Sequence, residues 1–152
     1  MDKPLVRIII GSKSDLETCK PIQEQLKELG VESDFYVSSA HRNPVKTMEL
    51  VHSAEQDGIK VFIACAGMAA HLPGVIASHT TLPVIGVPLK GSTLSGEDAL
   101  YSIVQMPPGV PVATVAINGT KNAAVLAAQI LALSEQDIKD KLIQYKKQLA
   151  NN

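Results

Sequence analysis

The chain has 152 residues, 45% hydrophobic and 19% charged, with 14 Lys+Arg against 15 Asp+Glu and a formal net charge of −1. That length suits one domain that buries about 70% of the surface it exposes unfolded, and the composition excludes disorder, collagen and low complexity. Aromatics make up 3% and Trp is absent, so the core must be built from Val, Ile, Leu and Ala, and no basic patch marks nucleic acid as a partner.

Leu5–Ile10 is short, β-branched and followed by Gly11-Ser12, which predicts a buried strand. Leu16, Cys19, Ile22, Leu26 and Leu29 recur at helical spacing, with Gly30 as the C-cap. Pro21 falls inside that pattern and predicts a kink or a late start. Val31–Ser38 reads as a second strand. Pro44–Asp57 reads as a second helix, with Asn43 as N-cap and Gly58 just past its end. Ile59–Ala64 is a third strand, and a small-residue loop at Ala66–Ala70 leads to a helix at about Leu72–Thr80. Pro83–Val87 is a fourth strand, Leu94–Gln105 a helix, Pro111–Ile117 a fifth strand and Asn122–Leu133 an Ala-rich helix. Ser134 is expected to cap a last amphipathic helix, with Asp137 at the capping-box position and Ile138, Leu142, Tyr145 and Leu149 in one stripe.

Strict alternation of apolar strands and helices predicts an α/β fold, a three-layer αβα sandwich around a central parallel, flavodoxin-like (Rossmann-like) sheet. No internal repeat or linker divides residues 1–152, which are expected to form a single catalytic domain. The two cysteines, Cys19 and Cys65, lie in apolar segments without CxxC spacing, so a disulfide framework is not expected. Met1–Pro4 leads straight into the first strand with no signal-peptide pattern, and no stretch approaches the ~20 apolar residues of a transmembrane span. A cytoplasmic protein without a membrane partner is the expectation.

In such sheets ligands bind at the carboxyl ends of the strands, which selects the first three loops. Gly11-Ser12-Lys13-Ser14-Asp15 is either a capping turn, with Ser14 or Asp15 as N-cap, or an anion cradle at a helix N-terminus. It is neither a Walker loop nor GxGxxG. Asp15 would repel a phosphate and suits a ribose hydroxyl better. Ser38-Ser39-Ala40-His41-Arg42-Asn43-Pro44 holds one of the chain's two arginines next to a histidine. That pair is either a phosphate clamp beside a proton donor or acceptor, or a solvated surface pair. Cys65–Gly74 is rich in small residues, which implies close backbone approach by packing or by a ligand. His71 sits at a helix start, where the charged form is disfavoured; it is either a neutral hydrogen-bonding group or a histidine satisfied at a subunit contact. The four histidines lack metal-ligand spacing and no metal site is expected. Together the loops describe a site for a phosphorylated small molecule with one or two imidazoles.

Two rival readings fit less well. An FMN carrier would stack its ring on aromatics, and none stands in these loops. A receiver-type signalling module would carry an acceptor Asp after the third strand, where Ala64-Cys65-Ala66 stands.

Gly11–Asp15, Ser39–Arg42 with Pro44, Ala69–Gly74, Leu82–Pro88, Leu94-Ser95-Gly96 and Ser102–Pro107 occur in unbroken order. This set of blocks closely resembles the bacterial N5-carboxyaminoimidazole ribonucleotide mutase family of de novo purine synthesis, over roughly Val6 to Leu133. Cys65 and Met68 depart from it, standing where that family most often carries glycine. The resemblance implies an isomerase that moves a carboxylate from the exocyclic nitrogen of an aminoimidazole ribonucleotide to ring carbon C4. It implies His41 as general acid and then base, and His71 as a second catalytic residue. Ser12, Ser14 and Arg42 would hold the 5′-phosphate and Asp15 the ribose. Ala66, Gly67, Ala70 and His71 would line the carboxylate pocket, and Ser39, Ala40 and Leu72 would complete the substrate contacts. No metal, ATP, biotin or nucleotide cofactor is implied. The family forms a homo-octamer; the 134–150 helix would pack its stripe either on a neighbouring subunit or within its own chain.

Overall fold

The computed structural model describes residues 3–91 and 93–152, so Met1 and Asp2, at the head of the sequence, lie outside the described residues. Five strands, β1 (Val6–Ile10), β2 (Ser33–Val37), β3 (Val61–Gly67), β4 (Val84–Leu89) and β5 (Ala113–Thr114), alternate with helices. The helices are α1 (Leu16–Glu28), α2 (Pro44–His52), α3 (Leu72–Ser78), α4 (Glu97–Val104), α5 (Thr120–Leu131) and α6 (Gln136–Ala150). Every strand pair is parallel and the sheet order is β2-β1-β3-β4-β5, the flavodoxin-like order. The switch point lies between β1 and β3.

The period of two along each strand divides the apolar side chains between two cores. Ile8 and Ile10 of β1 and Ile63 and Cys65 of β3 pack with α1, α5 and α6. Ile9, Phe62, Ala64 and Ala66 face the opposite layer, with Val51, Ile76 and Ile103 of α2, α3 and α4. Gly86 of β4 lies under that second layer because a Cβ there would come within 2.5 Å of Ile103 Cγ2.

Arg7 is the exception in an otherwise apolar β1, and it is buried. Its guanidinium spends all five N–H donors. Nε and Nη2 grip the Asp34 carboxylate, Nη2 also reaches Asp57 Oδ2 at 2.9 Å, and Nη1 donates to the Leu50 carbonyl at 2.8 Å and to Ser53 Oγ at 3.0 Å. Burial opposes the charge, but the hydrogen bonds to Asp34 and Asp57 outweigh it and raise the guanidinium's pKa above its ordinary value.

Several element boundaries differ from the expectations, each for a local reason. Helix α1 starts at Leu16 and runs through Pro21, so there is no late start; the carbonyl that Pro21 leaves unbonded is that of exposed Glu17. Leu16 is 42% exposed rather than on the buried face. Helix α2 ends at His52, not Asp57, because Arg7 takes the Leu50 carbonyl that a further turn would need. Strand β3 continues to Gly67 because β4 pairs with it through Leu89, so Ala66 and Gly67 are strand residues. Helix α4 begins only at Glu97, since Ser95 and Gly96 both have left-handed backbone. Strand β5 is two residues long: Gly86 accepts from Val115 on that side of β4, and the next residue facing it, Pro88, has no N–H to continue the ladder. Ser134 does not cap α6. Its hydroxyl donates back to the Leu131 carbonyl, and Glu135 at the N-cap makes no side-chain bond. In α6, Ile138 and Leu142 are buried in this chain's own core beside α5, while Ile143 and Leu149 stay exposed. Among the described residues no helix is long and apolar enough to cross a membrane.

Candidate active site

Three loops leave the sheet side by side at the switch point, and backbone bonds beyond the strand ends hold them in register. The Gly11 N–H donates to the Cys65 carbonyl at 3.2 Å and the Ser38 N–H to the Ile10 carbonyl at 2.8 Å. In the first loop Ser12 caps a single 3-10 turn over Lys13–Asp15, its Oγ accepting from the Ser14 N–H at 3.3 Å and lying 2.9 Å from Ser14 Oγ. Ser12 is therefore the side-chain cap of this turn, while Asp15, one of the two N-cap residues expected from the sequence, takes the N-cap position of the helix. Asp15 stands at the N-cap position of α1 without a side-chain cap bond, which leaves its carboxyl to the cavity.

In the second loop Ser39 Oγ accepts from the Arg42 backbone N–H at 3.1 Å and from Arg42 Nε at 3.4 Å. Arg42 Nη2 donates to the Gly11 carbonyl at 3.3 Å and so ties the second loop to the first. Asn43 caps α2 through the Lys46 N–H, as its position before Pro44 predicts. In the third loop Met68 adopts left-handed backbone (φ 56°), and the His71 N–H closes a tight turn onto the Ala69 carbonyl at 2.8 Å. His71 then occupies the N-cap position of α3 with its ring free of capping duty.

The two imidazoles meet over the cavity between these loops. His41 Nε2 lies 2.5 Å from His71 Nδ1, with ring centroids 4.7 Å apart and planes at 84°. A hydrogen bond at this contact requires one nitrogen to donate and the other to accept, which couples the tautomers of the two rings. The cavity measures about 550 Å³ and draws Gly11, Ser12, Ser14 and Asp15 from the first loop and Ser39–Arg42 from the second. Ala66 and Gly67 come from the end of β3, Met68, Ala69 and His71 from the third loop, Leu72 from the start of α3, and Gly91 from the loop after β4. Burial pushes the Asp15 carboxyl pKa above its ordinary value. The Cys65 thiol, buried in the first core and not on the cavity, is held well above its ordinary value by burial, then by the neighbouring Cys19 thiol and the Asp15 charge, so it stays neutral and is no nucleophile.

Every sequence-predicted site residue except one therefore borders this cavity. Ala70 is the exception: it is packed into the second core with Leu72 and Ile76. Lys13 turns to an adjoining hollow of about 310 Å³ with Asn43 and Lys46, which shares Arg42, Ser12 and Ser39 with the main cavity. Gly91 was not foreseen; the strand-end rule applied to the fourth loop would have found it. Among the described residues no group of three or more His, Cys, Asp or Glu is placed to hold a metal ion. His52 and His79 face each other at 5.8 Å in a separate depression with Glu55.

Comparisons with known proteins give the family and the fold. The AIR carboxylase family model matches residues 5–152. The chain is 55% identical over 148 residues to the N5-carboxyaminoimidazole ribonucleotide mutase of Pyrococcus horikoshii, covering 97% of this chain and 84% of that protein. It is 55% identical over 146 residues to the protein of the same name from Thermotoga maritima, covering 96% and 85%. Among solved structures, Treponema denticola PurE superposes with a TM-score of 0.90 at 32% identity, covering 98% of this chain and 93% of that one.

Proposed function

The chain belongs to the AIR carboxylase family, and from that premise we propose that it is an N5-carboxyaminoimidazole ribonucleotide mutase of purine biosynthesis. The observation that carries the proposal is the His41–His71 contact over a cavity that also holds Arg42, Ser12, Ser14 and Asp15. A substrate of this class needs an anchor for its 5′-phosphate, an acceptor for a ribose hydroxyl and a proton carrier over the imidazole. Arg42 supplies a planar, permanent charge for the phosphate, with the Ser12 and Ser14 hydroxyls and the first-loop backbone beside it. Asp15 accepts from the ribose. Ser39 and Ala40 form the wall on the second-loop side and Leu72 the wall next to His71.

His41 then acts twice. As general acid it gives a proton to the exocyclic nitrogen while the N–CO₂ bond breaks and its electron pair stays on nitrogen. The freed CO₂ waits against Ala66, Gly67 and the rest of the small-residue loop. C4 of the electron-rich ring attacks it, and His41 removes the C4 proton that the new bond has made acidic. The proton given is replaced by the proton taken, so one imidazole suffices. Holding CO₂ beside C4 replaces a second-order encounter by an intramolecular one. His71 fixes the facing nitrogen of His41 and the direction in which its proton points.

A homo-octamer and a cytoplasmic location belong to the same proposal. His41, Arg42 and His71 are exposed in the single chain, and Leu94, Tyr101 and Val104 form exposed apolar surface around α4, both of which suit assembly. Two free buried thiols suit a reducing compartment. The test is C4-carboxylate formation from the N-carboxylated ribonucleotide without ATP or added bicarbonate. Product supports the mutase; activity only at high bicarbonate with the uncarboxylated ribonucleotide refutes it in favour of direct carboxylation.

A further inference from the structure

Asn118 lies outside the cavity, yet it holds one of the cavity's walls. Its backbone N–H donates to the Pro88 carbonyl at 2.8 Å, and its side-chain Oδ1 accepts from the Lys90 N–H at 2.9 Å. The two bonds clasp the chain on either side of Leu89, the last residue of β4. Asn118 does this from a left-handed backbone (φ 56°), a conformation that Asn tolerates better than most residues. The turn behind it is tight, since a Cβ on Gly119 would lie 2.8 Å from the Ala116 carbonyl oxygen.

The clasped segment lies beside the third loop, within van der Waals reach of it. A Cβ on Gly67 would meet the Leu89 carbonyl at 3.5 Å and Gly91 Cα at 3.9 Å, and one on Gly91 would meet Met68 Cγ at 3.4 Å. Gly67, Met68 and Gly91 all line the cavity. Where Lys90 and Gly91 stand therefore decides how close the Gly67–Met68 wall comes to the reacting centre.

We propose that Asn118 is a positioning residue that closes the Gly67–Met68–Gly91 wall and so keeps released CO₂ beside C4. The inference rests on the mutase reading. In the reaction the N–CO₂ bond breaks and the nitrogen keeps its electron pair and gains a proton. CO₂ that stays forms the C4–C bond, and CO₂ that escapes leaves the uncarboxylated ribonucleotide.

The experiment compares the wild-type chain with Asn118→Gly, which keeps the left-handed backbone and loses the acceptor, and with Asn118→Asp, which keeps an acceptor. The readout is the ratio of C4-carboxylated to uncarboxylated ribonucleotide per substrate consumed in bicarbonate-free buffer, corrected for decarboxylation without enzyme. Asn118→Gly is expected to shift the ratio several-fold toward the uncarboxylated compound and to lower kcat about tenfold, with KM little changed because the phosphate anchor is untouched. Asn118→Asp is expected to retain the wild-type ratio. A wild-type ratio in Asn118→Gly, or equal leakage in both variants, overturns the inference. A wild-type chain that makes no C4-carboxylated product overturns the mutase reading instead. Should Asn118→Gly melt below assay temperature, hydrogen exchange at the wild-type Lys90 amide decides: protection supports the clasp and free exchange overturns it.

Discussion

Arg42 Nη2 of the second loop donates to the Gly11 carbonyl of the first across 3.3 Å. The residue that would anchor a phosphate is thus also the link between the two loops on which the anchor depends. The same guanidinium keeps Nη1 without a protein partner in any bond described above, so an anion can bind without breaking the link.

His41→Asn is expected to lower kcat by at least about 100-fold, the scale of a lost general acid–base group, and to leave the melting temperature within error. The ring is exposed and its hydrogen bond is to exposed His71, so little packing is lost. His71→Ala should lower kcat less, because it removes the partner and not the proton carrier. Rates of C4-carboxylate formation and thermal melts of the three proteins decide, and a His41→Asn enzyme of near-normal rate would sink the acid/base assignment.

Arg42→Ala is expected to weaken substrate binding by about 1.5–3 kcal/mol, the range for hydrogen bonds to a charged group, with a smaller effect on kcat. Lysine at this position should restore little, since an ammonium cannot bridge Ser39, Gly11 and an anion as a planar fork can. Titration calorimetry with the product nucleotide reads this directly. An unchanged affinity in the alanine variant rules out the clamp.

Much of the site was legible because it depends on two robust rules. Apolar strands alternating with helices imply a parallel sheet, and a parallel sheet binds ligands at its carboxyl edge; those rules select the loops that hold His41, Arg42 and His71. The boundaries that were missed depend on tertiary partners that no local pattern records. Helix α2 stops early because Arg7, 43 residues away from Leu50, takes its carbonyl. Ser134 looks like a cap from sequence, but in the fold its hydroxyl turns back to α5. Ala70 shares the small-residue character of its neighbours, yet the tight turn into α3 sends it into the core. Asn118 carried no recognisable signal, because its partners are Pro88 at the end of β4 and Lys90 just past it, 28 residues away in sequence.

Asp15→Asn should stabilise the folded chain at neutral pH while weakening substrate binding. The folded state holds the Asp15 carboxyl pKa above the ordinary 3.8 through burial. A raised folded pKa contributes stability below the unfolded value and loses it as pH rises through the folded value. At neutral pH the carboxylate is therefore a cost that the amide removes. The variant should melt higher than wild type at pH 7, and the difference should shrink as pH falls toward 3.8 and below. Melting curves across that range check the sign. A variant that melts lower at neutral pH contradicts it.

Met68→Gly should raise stability by about 0.5–1 kcal/mol, because a side chain on left-handed backbone carries a steric cost that glycine lacks. Met68 is 58% exposed, so little burial is lost in return. Its Cγ lies 3.4 Å from where a Gly91 Cβ would be, and its removal opens the wall at that point. The stabilised variant should therefore be the leakier enzyme. Urea denaturation and the ratio of carboxylated to uncarboxylated product should move in opposite senses.

Arg7→Met is expected to destabilise the chain by about 3 kcal/mol, the lower end of the range for removing one partner of a buried ion pair. Asp34 and Asp57 lose their counter-charge, and the Leu50 carbonyl and Ser53 hydroxyl lose a donor. The half-exposed Asp57 can turn to water, which keeps the cost from the top of the range. Methionine retains most of the apolar volume between β1 and α2, so the loss reports the charge network and not a cavity. Residual activity of the folded fraction should be normal, since Arg7 lies under α2 and not on the cavity. A urea midpoint that corresponds to a loss below about 1 kcal/mol would mean that the network is worth no more than a surface pair.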